Sequence, residues 1–157
     1  MYRTSWMMLI TGALTLVIGS GCRTPDPLPP ANFSTPGWHV QSGQAIWKPS
    51  ASRPEVVGDL LLATNVNGNF FIQYSKIPFP LVMAKVSGEQ WQIQFGADQY
   101  SWHGRGTPPS RFSWFQFPAA LRGATLGSKW QFTRMETNSW RLENSHTGEV
   151  LEGEFFP

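Results

Sequence analysis

The chain has 157 residues, a formal net charge of +2, and 14% charged against 14% aromatic residues. So even a balance excludes the strong basic excess of a nucleic-acid binder, and one cysteine excludes a disulfide framework. Without an N-terminal targeting segment, residues 22–157 suffice for one domain with a real core and not for two.

That targeting segment is residues 1–21. Arg3 is its only charge, and Trp6 to Ile18 is apolar but for Thr11, Gly12 and Thr15. The run is shorter than the roughly 20 apolar residues a membrane-spanning helix needs. Gly19, Ser20 and Gly21 then lead into Cys22. The pattern resembles a bacterial lipoprotein signal peptide, whose lipobox cysteine is diacylated and becomes the mature N-terminus. It departs from that family at Gly19, where Leu is usual, and plain secretory cleavage after small residues is the alternative. A lone exported cysteine has no intramolecular disulfide partner, which favours acylation of Cys22. The resemblance implies a membrane partner through the lipid anchor. With Arg23 rather than Asp after the cysteine, it also implies the outer membrane of a bacterial envelope, facing the periplasm. Residues 22–36 follow as a tether, and five prolines between positions 23 and 36 favour an extended, semi-rigid spacer.

The domain is expected to span residues 37–157. Gly37 to Lys48 opens it, with Trp38 and Val40 on one parity and Ala45 and Trp47 on the other, so a bulge or bend is predicted at Ser42-Gly43. Pro49 to Pro54 is a loop. Val56 to Phe95 is the clearest stretch, a meander of strands broken at Asn67-Gly68, at Ile77 to Pro80 and at Ser87 to Glu89. Its last segment alternates Trp91, Ile93 and Phe95 with Gln90, Gln92 and Gln94, the period of a half-buried strand. Leu60-Leu61-Leu62 and Leu81-Val82-Met83-Ala84 are apolar on both parities, so the sheet is either covered on both faces or curled around an apolar interior.

After a turn at Gly96 to Asp98, Gln99 to His103 reads as a strand and Gly104 to Arg111 as a loop. Phe112 to Phe117 is apolar, and Pro118 to Arg122 is predicted as a short helix with Pro in its first turn and Gly123 ending it. Trp130 to Arg134, Trp140 to Asn144 and Val150 to Phe155 close the chain as strands. The expected class is all-β: an up-and-down, mainly antiparallel meander of about nine strands curled into a half-barrel, with one short helix.

The lipobox, the proline-rich tether and the aromatic meander resemble the LolA/LolB-like half-barrel lipoproteins of the lipoprotein-sorting group. Tyr74 to Lys85, Trp91 to Phe95 and the terminal hairpin from Trp140 to Gly153 carry that likeness. Family members have helices that plug or lid the concave face, where this sequence offers only residues 118–122. The resemblance implies a non-enzymatic protein that binds an acyl chain or a lipidated partner in an apolar concavity. Candidate lining residues are Phe70, Ile72, Tyr74, Met83, Trp91, Ile93, Phe95 and Trp102. These aromatics serve equally as an ordinary core, or as a stacking surface for sugar rings. The alternative function is therefore a structural or accessory envelope lipoprotein that binds a protein or glycan through its sheet surface.

Nothing points to catalysis, a metal or a cofactor, and a monomer is expected. His39, His103 and His146 lie far apart in sequence, without metal-ligand spacing. Ser101 and His103 share a strand face, but no nucleophile elbow or third group accompanies them. Arg105, Arg111, Arg122, Lys129 and Arg134 fall in an acid-free stretch, and five acids follow from Glu136 onward. That asymmetry suits a phosphate or lipid headgroup contact. Mutual neutralisation of neighbouring strands is the simpler expectation.

Overall fold

The computed structural model describes residues 32–96, 100–136 and 138–157. In chain order the elements are β1 (Trp38–Lys48), β2 (Val56–Asn65), β3 (Phe70–Lys76), β4 (Phe79–Ser87), β5 (Gln90–Phe95), β6 (Tyr100–Arg105), α1 (Ser113–Leu121), β7 (Trp130–Arg134), β8 (Ser139–Asn144) and β9 (Val150–Phe155). Cys22 and most of the tether, as well as the turn residues Ala97 and Asp98, lie outside the described residues.

All nine strands form one antiparallel sheet in the order β6-β5-β4-β3-β2-β1-β9-β8-β7. Each strand pairs with its neighbour in sequence except β6 and β7, and β9 returns to pair with β1. The sheet is a curled half-barrel, left open between its edge strands β6 and β7. The connection between those two edges carries α1, so the helix belongs to the open side. The expected all-β meander is what the chain forms.

Register assigns the faces. Leu62, Ile72, Ala84, Ile93 and Trp102 make one cross-strand row, and Leu60, Tyr74, Val82 and Phe95 the next. These rows look inward, and most of their members are buried. Leu61, Gln73, Met83, Gln94 and Ser101 make a row on the opposite face, where Leu61 and Met83 are only half-buried. Of the two explanations for the doubly apolar strands, curling around an interior therefore holds. Cross-strand pairs on one face are what stabilise such a sheet.

Two sequence expectations are corrected here. β1 runs against β2 without a register shift from Trp38 to Trp47, so no bulge sits at Ser42-Gly43. The parity change arises because Trp38 lies on the outer face, where Phe33 packs edge-on against it at 5.6 Å and also touches Phe71 at 5.3 Å. The irregularity in the meander falls instead between Tyr74 and Ser75 against β4. Gly43 has a different reason to be glycine. A Cβ there would come within 2.1 Å of the Glu154 carbonyl oxygen, so the tight approach of β9 to β1 requires its absence.

The helix is the second correction. It begins at Ser113, and Pro118 stands inside it rather than in its first turn. Proline within a helix removes one backbone hydrogen bond and is normally disfavoured. Here Trp114, Phe115 and Phe117 are all buried, and that tertiary burial outweighs the local preference. Gly123 does follow the helix end with φ 75°.

The β2–β3 hairpin bears on how well turn chemistry reads from sequence. A four-residue connection joins β2 to β3: the Gly68 N–H donates to the Asn65 carbonyl, and the Asn65 side chain accepts from the N–H groups of Asn67 and Asn69. Only Gly68 takes a positive φ, 81°, and a Cβ there would touch nothing within 4 Å. Gly68→Val is thus expected to cost about 1–2 kcal/mol through backbone strain alone. A melting temperature equal to wild type would contradict this turn geometry.

Candidate functional site

The concave face is the natural place for a site. Phe70, Ile72, Tyr74, Trp91, Ile93, Phe95 and Trp102 all lie on it, brought together from three strands, β3, β5 and β6. Met83 does not. It pairs with Gln73 and Gln94 on the opposite face, so its candidacy as a lining residue fails.

Most of this face is occupied by α1. Trp114 lies against Tyr74 at 5.2 Å and against Trp47 at 5.4 Å, and Phe115 meets Trp91 at 5.7 Å and Phe70 at 6.2 Å. Near the other end, Phe117 packs on Trp140 with ring centroids 4.0 Å apart. A helix that is apolar nearly all round is a buried helix. This one fills the half-barrel as a plug, a role for which the sequence offered only residues 118–122. Tyr74 is structural within that packing. Its hydroxyl donates to the Val56 carbonyl at 2.5 Å, and burial pushes its pKa up to about 12, so it stays a neutral donor.

A buried acid fixes the start of the plug. Glu149, in the connection between β8 and β9, is almost fully buried, and its Oε1 accepts from the Ser113 hydroxyl at 2.6 Å and from the Trp47 indole N–H at 3.0 Å. α1 has no side-chain cap and no acid in its own first turn. Glu149 brings a carboxylate to that end from another strand pair, where the helix dipole favours it. Burial raises its pKa, while the hydrogen bonds from Ser113 and Trp47 act to lower it. Sequence reading missed this residue, because a lone glutamate beside a turn defaults to solvent.

The other end of α1 is less tightly closed. A cavity of about 270 Å³ lies there, with Leu62, Leu121, Trp140 and Phe155 as apolar walls and Arg122 and Arg134 among its polar ones. Arg134 pairs with Trp140 across β7 and β8, which puts it at the concave mouth. Trp140 is 1% exposed, and its indole N–H has no partner among the described residues. The buried Trp91 and Trp114 indoles also lack one.

The remaining candidates do not assemble into chemistry. Ser101 and His103 sit on the outer face of the edge strand β6, opposite Gln94 and Gln92. Among the described residues no group of His, Cys, Asp and Glu could hold a metal ion. Mutual neutralisation of the basic and acidic segments does not occur as expected. β7 does lie beside β8, yet among the described residues the ion pairs are Arg141 with Glu143 and with Glu152. The five basic residues from Arg105 to Arg134 enter none of them, because the register sets Arg134 opposite Trp140 and Arg141 opposite Glu152.

Fold and site together define a class: an open, curled antiparallel sheet with an apolar interior closed by one buried helix. No protein-family model and no curated protein matches the chain.

Proposed function

We propose that this protein is a non-enzymatic, LolB-like lipoprotein of the bacterial envelope. It is anchored by acylated Cys22 at the outer membrane and, as a monomer, holds an acyl chain or a lipidated partner in its half-barrel. The observation that carries this reading is the cavity at the C-terminal end of α1, where apolar walls meet Arg122, Arg134 and a buried indole N–H that has no partner among the described residues. An acyl chain entering beside Leu121 is buried against Leu62 and Phe155, each methylene contributing roughly 0.8 kcal/mol. Its carboxylate or ester end meets the two arginines. Glu149 pins the helix at its start, so the end facing the cavity is the one that yields to a longer chain.

A fluorescent fatty-acid probe tests this. Wild type binds it. Leu121→Trp, which fills the cavity, weakens binding at least about tenfold, the equivalent of roughly two methylenes of lost burial. Met83→Trp, on the opposite face, leaves binding unchanged. The anchor has its own test: Cys22→Ala is expected to accumulate as unprocessed precursor or to leave the membrane fraction, and wild-type fractionation of that variant would contradict lipidation.

One observation favours the alternative, a glycan-binding accessory lipoprotein. Tyr100 and Trp102 on the open edge strand stack at 6.1 Å and 19°, and are 62% and 39% exposed. Such a pair suits a sugar ring. Failure of probe binding by folded wild type, together with loss of peptidoglycan binding in Trp102→Ala, would transfer the assignment to that reading.

A further inference from the structure

We propose that a second cavity, at the end of the half-barrel where α1 begins, is a binding site for a phosphoryl group. It has a volume of about 370 Å³, opens to solvent, and is built by three segments: Ser110-Arg111 before α1, Gly127 to Lys129 before β7, and Asn144 to Thr147 at the end of β8. Each segment supplies one basic side chain, Arg111, Lys129 and His146, and no aspartate or glutamate lines the cavity. None of the three enters an ion pair among the described residues, and the Arg111 guanidinium rests over the Phe112 ring, 4.7 Å from its centroid. The acids nearest in sequence are engaged elsewhere: Glu143 pairs with Arg141, and Glu149 is turned inward to Ser113 and Trp47.

The three segments are braced to one another. The Trp130 indole N–H donates to the Ser110 carbonyl at 2.7 Å, and the Ser145 N–H donates to the Lys129 carbonyl at 2.9 Å. Asn144, itself buried, accepts from the N–H groups of His146 and Thr147 at 2.9 and 3.2 Å. The three segments that carry the basic residues are therefore held together before any ligand arrives, which lowers the cost of binding. Basic side chains around one cavity that no acid lines are complementary to a multiply charged anion. Arginine offers its planar fork to two oxygens of a phosphoryl group and lysine a point charge. The Ser128 hydroxyl adds a further donor, and the Trp130 indole forms an apolar wall for whatever carries the phosphate.

The phosphoryl group belongs either to a soluble phosphoester or to a phospholipid headgroup. The site stands apart from the acyl cavity: Trp130 and Asn144 lie at one end of the β7–β8 pair, Arg134 and Trp140 at the other, and the two cavities share no lining residue.

The test uses full-length protein in nonionic detergent, titrated calorimetrically with inorganic phosphate, with glycerol 3-phosphate, and with the same detergent doped with phosphatidylglycerol. Arg111→Gln and Lys129→Gln each remove one charge-assisted bond and are expected to weaken binding about 10- to 100-fold. Lys76→Gln, remote from both cavities, leaves it unchanged. Binding of the soluble probes with this variant pattern assigns a phosphoester site. Binding of the doped micelles alone, with the same pattern, assigns a headgroup site. Absence of binding to all three probes, or binding that Arg111→Gln and Lys129→Gln leave intact, overturns the proposal. If those variants fold poorly, acetylation of the wild type decides: the ligand slows modification of Lys129 relative to Lys76, and equal rates overturn the assignment.

Discussion

Trp114→Ala is expected to lower stability by about 3–5 kcal/mol, the range for deleting a large buried aromatic side chain. Trp114 is fully buried at the junction of helix and sheet, between Tyr74 and Trp47. Its removal leaves a void that the stiff curled sheet closes only in part. Trp114→Phe separates packing from hydrogen bonding. The indole N–H has no partner among the described residues, so losing it carries no hydrogen-bond penalty. That variant is expected to cost about 1–2 kcal/mol, through lost volume alone. Chemical denaturation measures both. A loss below about 1 kcal/mol for Trp114→Ala would mean that α1 is not seated in the half-barrel as described.

Glu149→Ala is the second large effect. It strips the acceptor from the Ser113 hydroxyl and from the Trp47 indole N–H, both of which then lie unpaired beside the start of α1. At about 1–3 kcal/mol for each abandoned group, discounted because Trp47 is only partly buried, the expected loss is about 2–4 kcal/mol. Glu149→Gln keeps an acceptor oxygen and is expected to fold nearly as well as wild type. The two also differ in pH dependence. Burial raises the carboxyl above its ordinary value of 4.5, so the folded state holds a proton that the unfolded chain releases first. This contribution to stability is complete below the unfolded value and is lost as pH rises through the raised folded value. Wild type should therefore lose stability upward from the ordinary carboxylate range, and Glu149→Gln should flatten that part of the curve. A wild-type profile that instead gains stability there, and parallels Glu149→Gln, would contradict the buried latch.

Much of the sheet was legible because its strands are locally consistent. Gln90 to Phe95 alternates without interruption, and the glycine at position 68 marks its turn. The faces were less legible. Leu81-Val82-Met83-Ala84 is apolar throughout, so only the pairing with β3 and β5 shows that Met83 looks away from Ile72 and Ile93. The helix was half legible for a related reason. Ser113 to Leu121 carries Gln116 and Ser113 as its only polar residues, and a helix buried nearly all round shows no 3.6-residue polar stripe. Its proline then read as a beginning rather than an interior position. Glu149 and the three-loop basic cavity were out of reach because each is a long-range meeting. The Glu149 bonds join residues 36 and 102 positions apart, and no local pattern encodes them.

The central proposal, an acyl ligand held within the half-barrel, is tested most directly by weighing the protein with and without its fold. Full-length protein is extracted gently from membranes and measured by native and by denaturing mass spectrometry. The covalent anchor at Cys22 stays in both masses, so their difference reports only what the fold retains. The account predicts a native mass larger by one acyl-bearing ligand, with the excess lost in Leu121→Trp and kept in Met83→Trp. Native and denaturing masses that agree for the wild type would contradict it.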